Sequence, residues 1–237
     1  MEALILAGGK GERLGPAADG RPKPLVDVAG RPLLAWSVAR LVAAGVERVI
    51  VSCSAGSELL FEEALAGLGA EIVAVGEPEP LGRGGGLRLA ASARVQGGPV
   101  LAANGDELLD VDLGALLAAH GRRAPAATIV VAPLPSPFGV VELGPDDRVL
   151  GFTEAPRLPH WVNAGLYVLG ADALALLPER GDHETTTFPE LALAGRLLAH
   201  RHDGLWLTVN TPKDLRRARD FLGRHPDWAG ERVPAAS

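Results

Sequence analysis

Short apolar runs alternate along this chain with segments in which apolar residues recur at helical spacing. Residues 3–7, 46–53 and 70–75 are largely apolar stretches of strand length. Residues 32–44 and 58–67 instead space their apolar side chains as one face of a helix does, which predicts two helices. The resulting order of strand, helix, strand, helix and strand predicts a mostly parallel sheet with right-handed crossovers.

The pattern changes after residue 135. Residues 99–103 and 126–133 still predict buried strands, and residues 111–120 predict a helix between them. Residues 140–143 and 149–153, however, flank a Gly-Pro-Asp-Asp turn and therefore predict a hairpin rather than another crossover. We expect an α/β domain that carries an appended β-hairpin.

The C-terminal part of the chain returns to alternating strands and helices. The predicted elements are a strand over residues 161–170, a short helix over residues 171–177, a helix that opens in ETTTFPELA, a strand over residues 197–202, and a terminal helix that starts at Thr211 and Pro212.

Glycines follow the first predicted strand. Gly8, Gly9 and Gly11 allow a sharp turn and let bare backbone N–H groups approach a ligand, which indicates a phosphate cradle. The P-loop pattern is excluded because no GK is followed by Ser or Thr. The dinucleotide fingerprint is excluded because Leu14 stands where its third glycine belongs.

The glycine loop also carries two cations. Arg13 follows the glycines, and Lys23 lies between two prolines that restrict the backbone around it. The strings LAGGKGERL and PKPLVDVAGRPLL together resemble the signature of the sugar-1-phosphate nucleotidylyltransferases, enzymes that join a nucleoside triphosphate to a sugar phosphate and release pyrophosphate. An ordinary Gly/Pro-rich surface loop is the alternative, but both halves occur in order behind a strand.

The resemblance implies the fold and domain organisation of that family. We expect a Rossmann-like, doubly wound, mostly parallel sheet of the nucleotide-diphospho-sugar transferase type. A single domain over residues 1–223 would comprise a nucleotide-binding part, residues 1–135, and a sugar-binding part, residues 136–223, which includes the hairpin. Residues 224–237 are polar and contain proline, so we expect a loosely ordered tail there.

Composition and charge agree with an enzyme for small anionic substrates. The chain has 237 residues, 47% of them hydrophobic, enough for one large core. Its net charge of −6 argues against a nucleic-acid-binding surface. The single cysteine, Cys53, favours a reducing cytoplasm. We see no signal peptide and no apolar run of membrane-spanning length, so we expect a cytoplasmic protein without a membrane partner.

The resemblance also implies roles at the nucleotide end. Arg13 would contact the leaving pyrophosphate, and Lys23 would contact the α-phosphate. Backbone groups near the glycines would hold the nucleotide, at Leu6, Ala7, Gly8, Gly9 and Gly11.

A second glycine cluster opens the helix after residue 75. The segment GEPEPLGRGGGLRLAA resembles the family's base- and sugar-contacting loop, usually PLGTAGA, with Arg83 in place of the threonine. Glycine disfavours helices, so we interpret Gly82 and its neighbours as allowing close approach of a ligand. Glu77 would face the base, and a carboxylate that only accepts hydrogen bonds suits guanine; a solvated Glu77 is the alternative.

Asp106 follows a predicted buried strand in the string NGD. Magnesium binds one or two carboxylates together with substrate phosphates and waters, and the resemblance identifies Asp106 as a ligand of Mg²⁺. A turn or helix N-cap is the alternative, but Asp110 and Asp112 are better placed to cap the next helix. We interpret Glu107 and Asp110 as merely acidic neighbours.

The resemblance assigns sugar contacts to the second half of the chain. Gly139 and Glu154 match residues that touch the sugar, and Asn163 in WVNAGLYVLG matches a residue that contacts sugar hydroxyls. Ala155 stands where the family commonly has a phosphate-gripping lysine, and Arg157 could reach the same place. A purely structural hydrogen bond is the alternative for Asn163.

The string LWLTVNTPKDL resembles the family's W.DVGTP segment with two departures. Thr208 replaces a second metal-binding aspartate, and Asn210 replaces a glycine. Either side chain could offer a neutral oxygen to the metal, or Asp106 could act with water and phosphates alone.

Three functions remain compatible with the sequence. The first joins GTP to mannose 1-phosphate or a related sugar 1-phosphate, with Mg²⁺ as cofactor. The second uses another acceptor, such as N-acetylmuramate 1-phosphate or molybdopterin, since VNTPKDL is also similar to a motif of molybdenum-cofactor guanylyltransferases. The third is a catalytically silent nucleotide-sugar-binding regulator. Homo-oligomer formation is possible in each case.

Overall fold

The computed structural model describes residues 1–9, 14, 18 and 20–228. In this part of the chain the strands are β1 Glu2–Leu6, β2 Asp27–Val28, β3 Arg31–Pro32, β4 Arg48–Ser54, β5 Glu71–Glu77, β6 Val100–Asn104, β7 Glu107–Leu109, β8 Ala127–Pro135, β9 Val140–Leu143, β10 Val149–Thr153, β11 Arg157–Leu169, β12 Leu197–Arg201 and β13 Trp206–Thr208. The helices are α1 Leu33–Ala43, α2 Glu58–Leu65, α3 Gly82–Ser92, α4 Leu113–Arg123, α5 Ala171–Ala175, α6 Thr187–Leu193 and α7 Pro212–Arg224.

A seven-stranded sheet forms the centre of the domain, in the order β12-β8-β11-β6-β1-β4-β5. Its strands are parallel except β11, which runs antiparallel to both β6 and β8. The predicted α/β class with a mostly parallel sheet is therefore confirmed. The predicted hairpin is also confirmed, because β9 and β10 pair as a separate antiparallel ribbon.

Helices cover both faces of the sheet, which explains why its strands are continuous apolar runs. Along β1, Ala3 and Ile5 face one core cluster, which also contains Phe61 from α2. Leu4 faces the opposite cluster, which contains Leu87 from α3. The alternation of side chains along a strand divides one apolar run between two cores, as a doubly wound fold requires.

The glycines of α3 have a different role from the predicted one. A Cβ on Gly84 would lie 2.6 Å from Pro178 Cγ, and one on Gly85 would lie 2.6 Å from the Glu179 carbonyl oxygen. The Gly84 N–H also donates to the Gly181 carbonyl at 2.9 Å. The interpretation as ligand approach is therefore wrong for Gly84 and Gly85, which instead let the segment of residues 178–183 pack directly on the helix.

His183, in this same segment, is completely buried. Its ring packs edge-on against Tyr167 and Phe188, and neither ring nitrogen has a hydrogen-bond partner among the described residues. Burial, and to a smaller extent the nearby Arg83, lower the pKa of His183 from 6.5 to about 4, although Asp182 acts in the opposite direction.

The last helix begins as the sequence predicts. Thr211 is the N-cap of α7, Pro212 is its first residue, and Asp214 completes a capping box. The predicted loose tail is wrong for residues 224–228, because Trp228 is only 1% exposed and its carbonyl accepts a 3.0 Å hydrogen bond from Arg40. Residues 229–237 lie outside the described part. Among the described helices, none has the length and apolarity needed to cross a membrane.

We predict that Gly84→Ala destabilises the domain by about 1 to 3 kcal/mol, because the added methyl group overpacks the contact with residues 178–183. Gly121→Ala is the matched control, since Gly121 lies in α4 with open space around it. That control should stabilise the domain by about 0.5 to 1 kcal/mol through helix propensity. Urea unfolding measures both, and equal effects of the two substitutions would contradict the packing role.

We also predict that His183 makes the domain sensitive to mild acid. As the pH falls from 6.5 towards 4, the unfolded chain binds a proton on His183 that the native state does not bind. The free energy of unfolding should therefore fall by up to about 3 kcal/mol through this group. The free energy of unfolding should be measured between these pH values for the wild type and for His183→Phe. As the pH falls, it should decrease more for the wild type than for His183→Phe. A constant difference would contradict the prediction.

Candidate active site

A cavity of about 840 Å³ opens where β1, β5 and β6 end. Parallel strands bring their carboxyl ends to one edge, where ligands of open α/β sheets bind. The lining residues are Leu6, Ala7, Gly8, Gly9, Lys23, Pro24, Glu77, Pro80, Gly82, Arg83, Asn104, Asp106, Glu107 and Asn210. The structure thus brings most of the predicted nucleotide-side residues together. Gly11 and Arg13 lie outside the described residues.

Lys23 links three distant parts of the chain inside this cavity. Its Nζ lies 2.5 Å from Asp106 Oδ2 and donates a 2.7 Å hydrogen bond to Asn210 Oδ1. Lys23 is the first residue of a short 3-10 turn, Lys23–Leu25, and the prolines on either side of it fix where this turn starts. An ammonium group has three N–H donors, so one remains for a phosphate oxygen.

Asp106 is held in place by a tight turn between β6 and β7. The Gly105 N–H donates to the Leu6 carbonyl at 2.9 Å, and a Cβ on Gly105 would lie 2.7 Å from that oxygen. The Val209 N–H donates to the Asp106 carbonyl at 2.9 Å, which brings Asn210 to the cavity. The helix-cap alternative for Asp106 does not apply, because Asp112 caps α4 by accepting from the Ala115 N–H.

Glu107 also belongs to the cavity, so its interpretation as a mere acidic neighbour is wrong. Burial raises its pKa to about 7, although Asn104 and Trp206 donate hydrogen bonds of 3.0 and 2.9 Å to its carboxylate. Trp206 reaches it because β13 pairs with β7. The sequence carries no signal for this burial, since the two partner strands lie about a hundred residues apart.

A glycine on β11 completes the wall around Glu107. Gly165 adopts a φ of +70°, and a Cβ there would lie 2.5 Å from both Asn104 Nδ2 and Glu107 Oε2. Any larger residue would therefore displace the two polar side chains that line the cavity.

Several oxygen atoms in the cavity fit a divalent metal ion. Beside Lys23, Asp106 contributes a carboxylate and Asn210 an amide oxygen. Asn104, which also lines the cavity, adds a buried Oδ1 that has no hydrogen-bond partner among the described residues. No cluster of three or more His, Cys, Asp or Glu side chains suited to a metal occurs among the described residues. A divalent ion held by Asp106 and these neutral oxygens would complete its coordination with substrate phosphates and water. Thr208 does not line the cavity, whereas Asn210 does.

Glu77 is buried rather than solvated. Its two carboxylate oxygens accept hydrogen bonds from Ser52 Oγ at 2.8 Å and from the Leu81 N–H at 3.1 Å. A Cβ on Gly8 would collide with this carboxylate, so the glycine is required for the loop to pass over Glu77. The contact of Glu77 with a base remains a prediction.

Asn163 is held by hydrogen bonds within the protein. Its amide donates to Tyr167 Oη at 2.9 Å and to Glu184 Oε1 at 2.8 Å, and its oxygen accepts from the Gly165 N–H at 3.0 Å. Asn163 therefore makes the structural hydrogen bonds that were the alternative to a sugar contact. Since both amide N–H groups are engaged, Asn163 can contact a sugar hydroxyl only as an acceptor.

Arg83 connects this network to the helix on the nucleotide side. Its guanidinium pairs with Asp182 and lies 2.6 Å from Glu184, the carboxylate that also binds Asn163. The sequence identified Arg83 only as a departure from the family pattern. Its acidic partners lie in another segment, so the pattern around residue 83 did not indicate them.

The other predicted sugar-binding residues lie outside the cavity. Glu154 and Arg157 are exposed, and neither they nor Gly139 line it. A Cβ on Gly139 would collide with the Phe152 ring and lie 3.0 Å from Glu154 Oε2. Their contacts with a sugar, and the replacement of the lysine at Ala155 by Arg157, remain predictions.

Curated relatives with known names cover nearly all of the chain. Mannose-1-phosphate guanylyltransferase catalytic subunit beta of Xenopus tropicalis is 34% identical over 245 residues, which cover 96% of this chain and 68% of that protein. The protein of the same name from Danio rerio is 37% identical over 225 residues, which cover 91% of this chain and 62% of that protein. The chain therefore spans about two thirds of their length.

A solved structure supports the fold independently. A putative glucose-1-phosphate thymidylyltransferase from Bacillus anthracis superposes with a TM-score of 0.76 at 19% identity, covering 94% of this chain and 95% of that chain. The model of the nucleotidyl transferase family matches residues 2–225. This match, the fold and the cavity confirm the resemblance found in the two loops, and the chain belongs to the nucleotidyl transferase family.

Proposed function

We propose that this chain joins GTP to mannose 1-phosphate, forming GDP-mannose and releasing pyrophosphate. The observation that best supports this proposal is that Lys23, Asp106 and Asn210 meet in a cavity beside the glycine loop. The names of the relatives support mannose 1-phosphate and guanylyl transfer. No acid–base residue is required, because the sugar phosphate already carries its nucleophilic oxygen.

The chemical problem is electrostatic, since one phosphate anion must approach another. Catalysis then consists chiefly of positioning the two phosphates and neutralising the charge that develops between them. The remaining N–H of Lys23 would bind the α-phosphate. Arg13 would bind the leaving pyrophosphate, although its side chain lies outside the described residues.

Nucleotidyltransferases of this family generally use a divalent metal ion. Asp106 would hold Mg²⁺ here, with the oxygens of Asn210 and Asn104 nearby. Bound there, the ion would neutralise negative charge on the triphosphate. Lys23 already contacts Asp106 and Asn210. The Lys23 ammonium group and the bound Mg²⁺ would therefore neutralise phosphate charge next to each other.

Recognition of guanine would fall to Glu77. This carboxylate lies at the end of β5, lines the cavity and has an exposed fraction of only 8%. A carboxylate can accept from both the ring N–H and the amino group of guanine, whereas uracil and thymine present a single ring N–H.

Lys23→Ala should lower turnover by about 100- to 1000-fold, the usual effect of removing one preorganised electrostatic donor. Lys213→Ala is the matched control, because Lys213 is exposed on α7 and does not line the cavity. Pyrophosphate release measures both variants. A loss below about tenfold in Lys23→Ala would remove the lysine from the proposed mechanism.

The substrates are tested by pyrophosphate release over a grid of nucleoside triphosphates and sugar 1-phosphates. We expect GTP with mannose 1-phosphate to exceed every other combination, including dTTP or UTP with glucose or N-acetylglucosamine 1-phosphate. Chelation of divalent ions should abolish the signal, and Mg²⁺ should restore it. If another pair of triphosphate and sugar 1-phosphate released pyrophosphate fastest, that pair would be the substrates instead of GTP and mannose 1-phosphate. Silence across the grid with triphosphate binding intact would favour another acceptor or a regulatory role.

A further inference from the structure

Glu184 lies in the segment that follows the contact of residues 178–183 with α3. Its Oε1 atom lies 2.6 Å from the Arg83 guanidinium and accepts hydrogen bonds from the Asn163 amide at 2.8 Å and from the Tyr167 hydroxyl at 3.4 Å. No other described residue donates a hydrogen bond to Oε2, the second oxygen of this carboxylate. Because the side chain is 27% exposed, Oε2 is open to a ligand.

The neighbours of Glu184 connect it to the cavity. Arg83, its ion-pair partner, lines the cavity, and so does Glu107. Burial is the main reason that the pKa of Glu107 is raised to about 7, and the charges of Asp106 and Glu184 raise it further. The Glu184 carboxylate therefore lies close to the cavity wall that Arg83 and Glu107 form.

The packing of this segment against α3 is held by other groups. The Gly181 N–H donates to the Leu81 carbonyl at 2.8 Å, and the Gly181 carbonyl accepts from the Gly84 N–H at 2.9 Å. Asp182 accepts a 2.8 Å hydrogen bond from the guanidinium of the same helix. Since these contacts already anchor the segment, Glu184 is not needed for anchoring, and a purely structural carboxylate would not leave one oxygen open.

The charges give the cavity two different ends. At one end Lys23 has an N–H group left for a phosphate oxygen. At the other end the carboxylates of Asp182 and Glu184 outnumber the single guanidinium of Arg83. Excess negative charge repels a phosphate and attracts O–H donors. A sugar 1-phosphate has the matching polarity, because its phosphate and most of its hydroxyl groups lie at opposite ends.

We propose that Glu184 determines specificity for the sugar, because its Oε2 atom accepts a hydrogen bond from a sugar hydroxyl group. Arg83 is a positioning residue in this arrangement. It holds Glu184 at Oε1 and thereby leaves Oε2 directed at the ligand. The inference rests on the proposed reaction, in which a sugar 1-phosphate is the substrate that carries these hydroxyl groups.

Glu184→Gln tests the contact with the sugar. The donors at Oε1 keep the amide oxygen there, so the variant places an N–H₂ group where Oε2 was. In the pyrophosphate-release assay the KM for the sugar 1-phosphate should rise about 10- to 100-fold, the usual scale for one hydrogen bond to a charged group. The KM for GTP should stay the same, which also shows that the variant is folded.

Glu190→Gln is the matched control for this substitution, since Glu190 is exposed on α6 and does not line the cavity. Both KM values should remain unchanged in the control. An unchanged KM for the sugar 1-phosphate in Glu184→Gln would overturn the inference. An equal rise of both KM values in that variant would also overturn it, because the effect would then not be specific to the sugar.

Deoxy analogues of the sugar 1-phosphate identify the hydroxyl group. Removing the hydroxyl that Glu184 accepts should raise the KM of the wild type about as much as Glu184→Gln does. The same analogue should have little effect on Glu184→Gln, because the hydrogen bond is already lost. Equal increases in the wild type and in the variant, for every analogue, would overturn a direct contact.

Arg83→Met tests the positioning role. The KM for the sugar 1-phosphate should rise in the wild-type background but rise little further in the Glu184→Gln background. Arg83→Lys should have a smaller effect than Arg83→Met, since the lysine keeps a cation beside Glu184. Additive effects of Arg83→Met and Glu184→Gln would show that Arg83 acts independently and would overturn its positioning role.

The outcome for Glu184 can be separated from the outcome for the proposed function. The KM measurements use the pair of substrates that releases pyrophosphate fastest, so a different pair would change the proposed substrates and still test Glu184. Silence with every pair would contradict the proposed reaction. Isothermal titration calorimetry with mannose 1-phosphate would then compare the dissociation constants of the wild type and Glu184→Gln. Equal constants, or no binding to the wild type, would overturn the role of Glu184.

Discussion

Burial of β1 on both faces, at the centre of a parallel sheet, is the constraint on which the rest of the structure depends. Its side chains enter two cores at once, one on the side of α1 and α2 and the other on the side of α3. Because the neighbouring strands β4 and β6 run parallel to β1, all three strands end at the same edge of the sheet. The cavity forms at that edge from segments that are far apart in sequence.

Close backbone approach is the second recurring feature, and glycine makes it possible. Gly105 lets the turn that carries Asp106 touch the end of β1, and Gly8 lets the loop pass over the Glu77 carboxylate. Gly84 performs the same function away from the cavity, where α3 packs against residues 178–183. The glycines therefore serve the packing of the protein as much as any ligand.

The two cations of the described cavity are paired with carboxylates before any substrate arrives. Lys23 neutralises Asp106, while Arg83 is balanced by Asp182 and Glu184. The half-buried Glu107 keeps a pKa near 7 although it accepts two hydrogen bonds. Such preorganised polar groups need little rearrangement when charged phosphates enter, which is the physical basis of electrostatic catalysis.

The sequence by itself determined the order of the main-sheet strands and the helices, the α/β class, the hairpin and the residues of the glycine loop, because hydrophobic periodicity and short motifs are local. Only the tertiary structure decided which side chains meet. Asn210 accepts a hydrogen bond from Lys23, and Trp206 donates one to Glu107 because β13 pairs with β7. Likewise, the contacts of Gly84 and the burial of Trp228 depend on neighbours that lie far along the chain, so no local pattern encoded them.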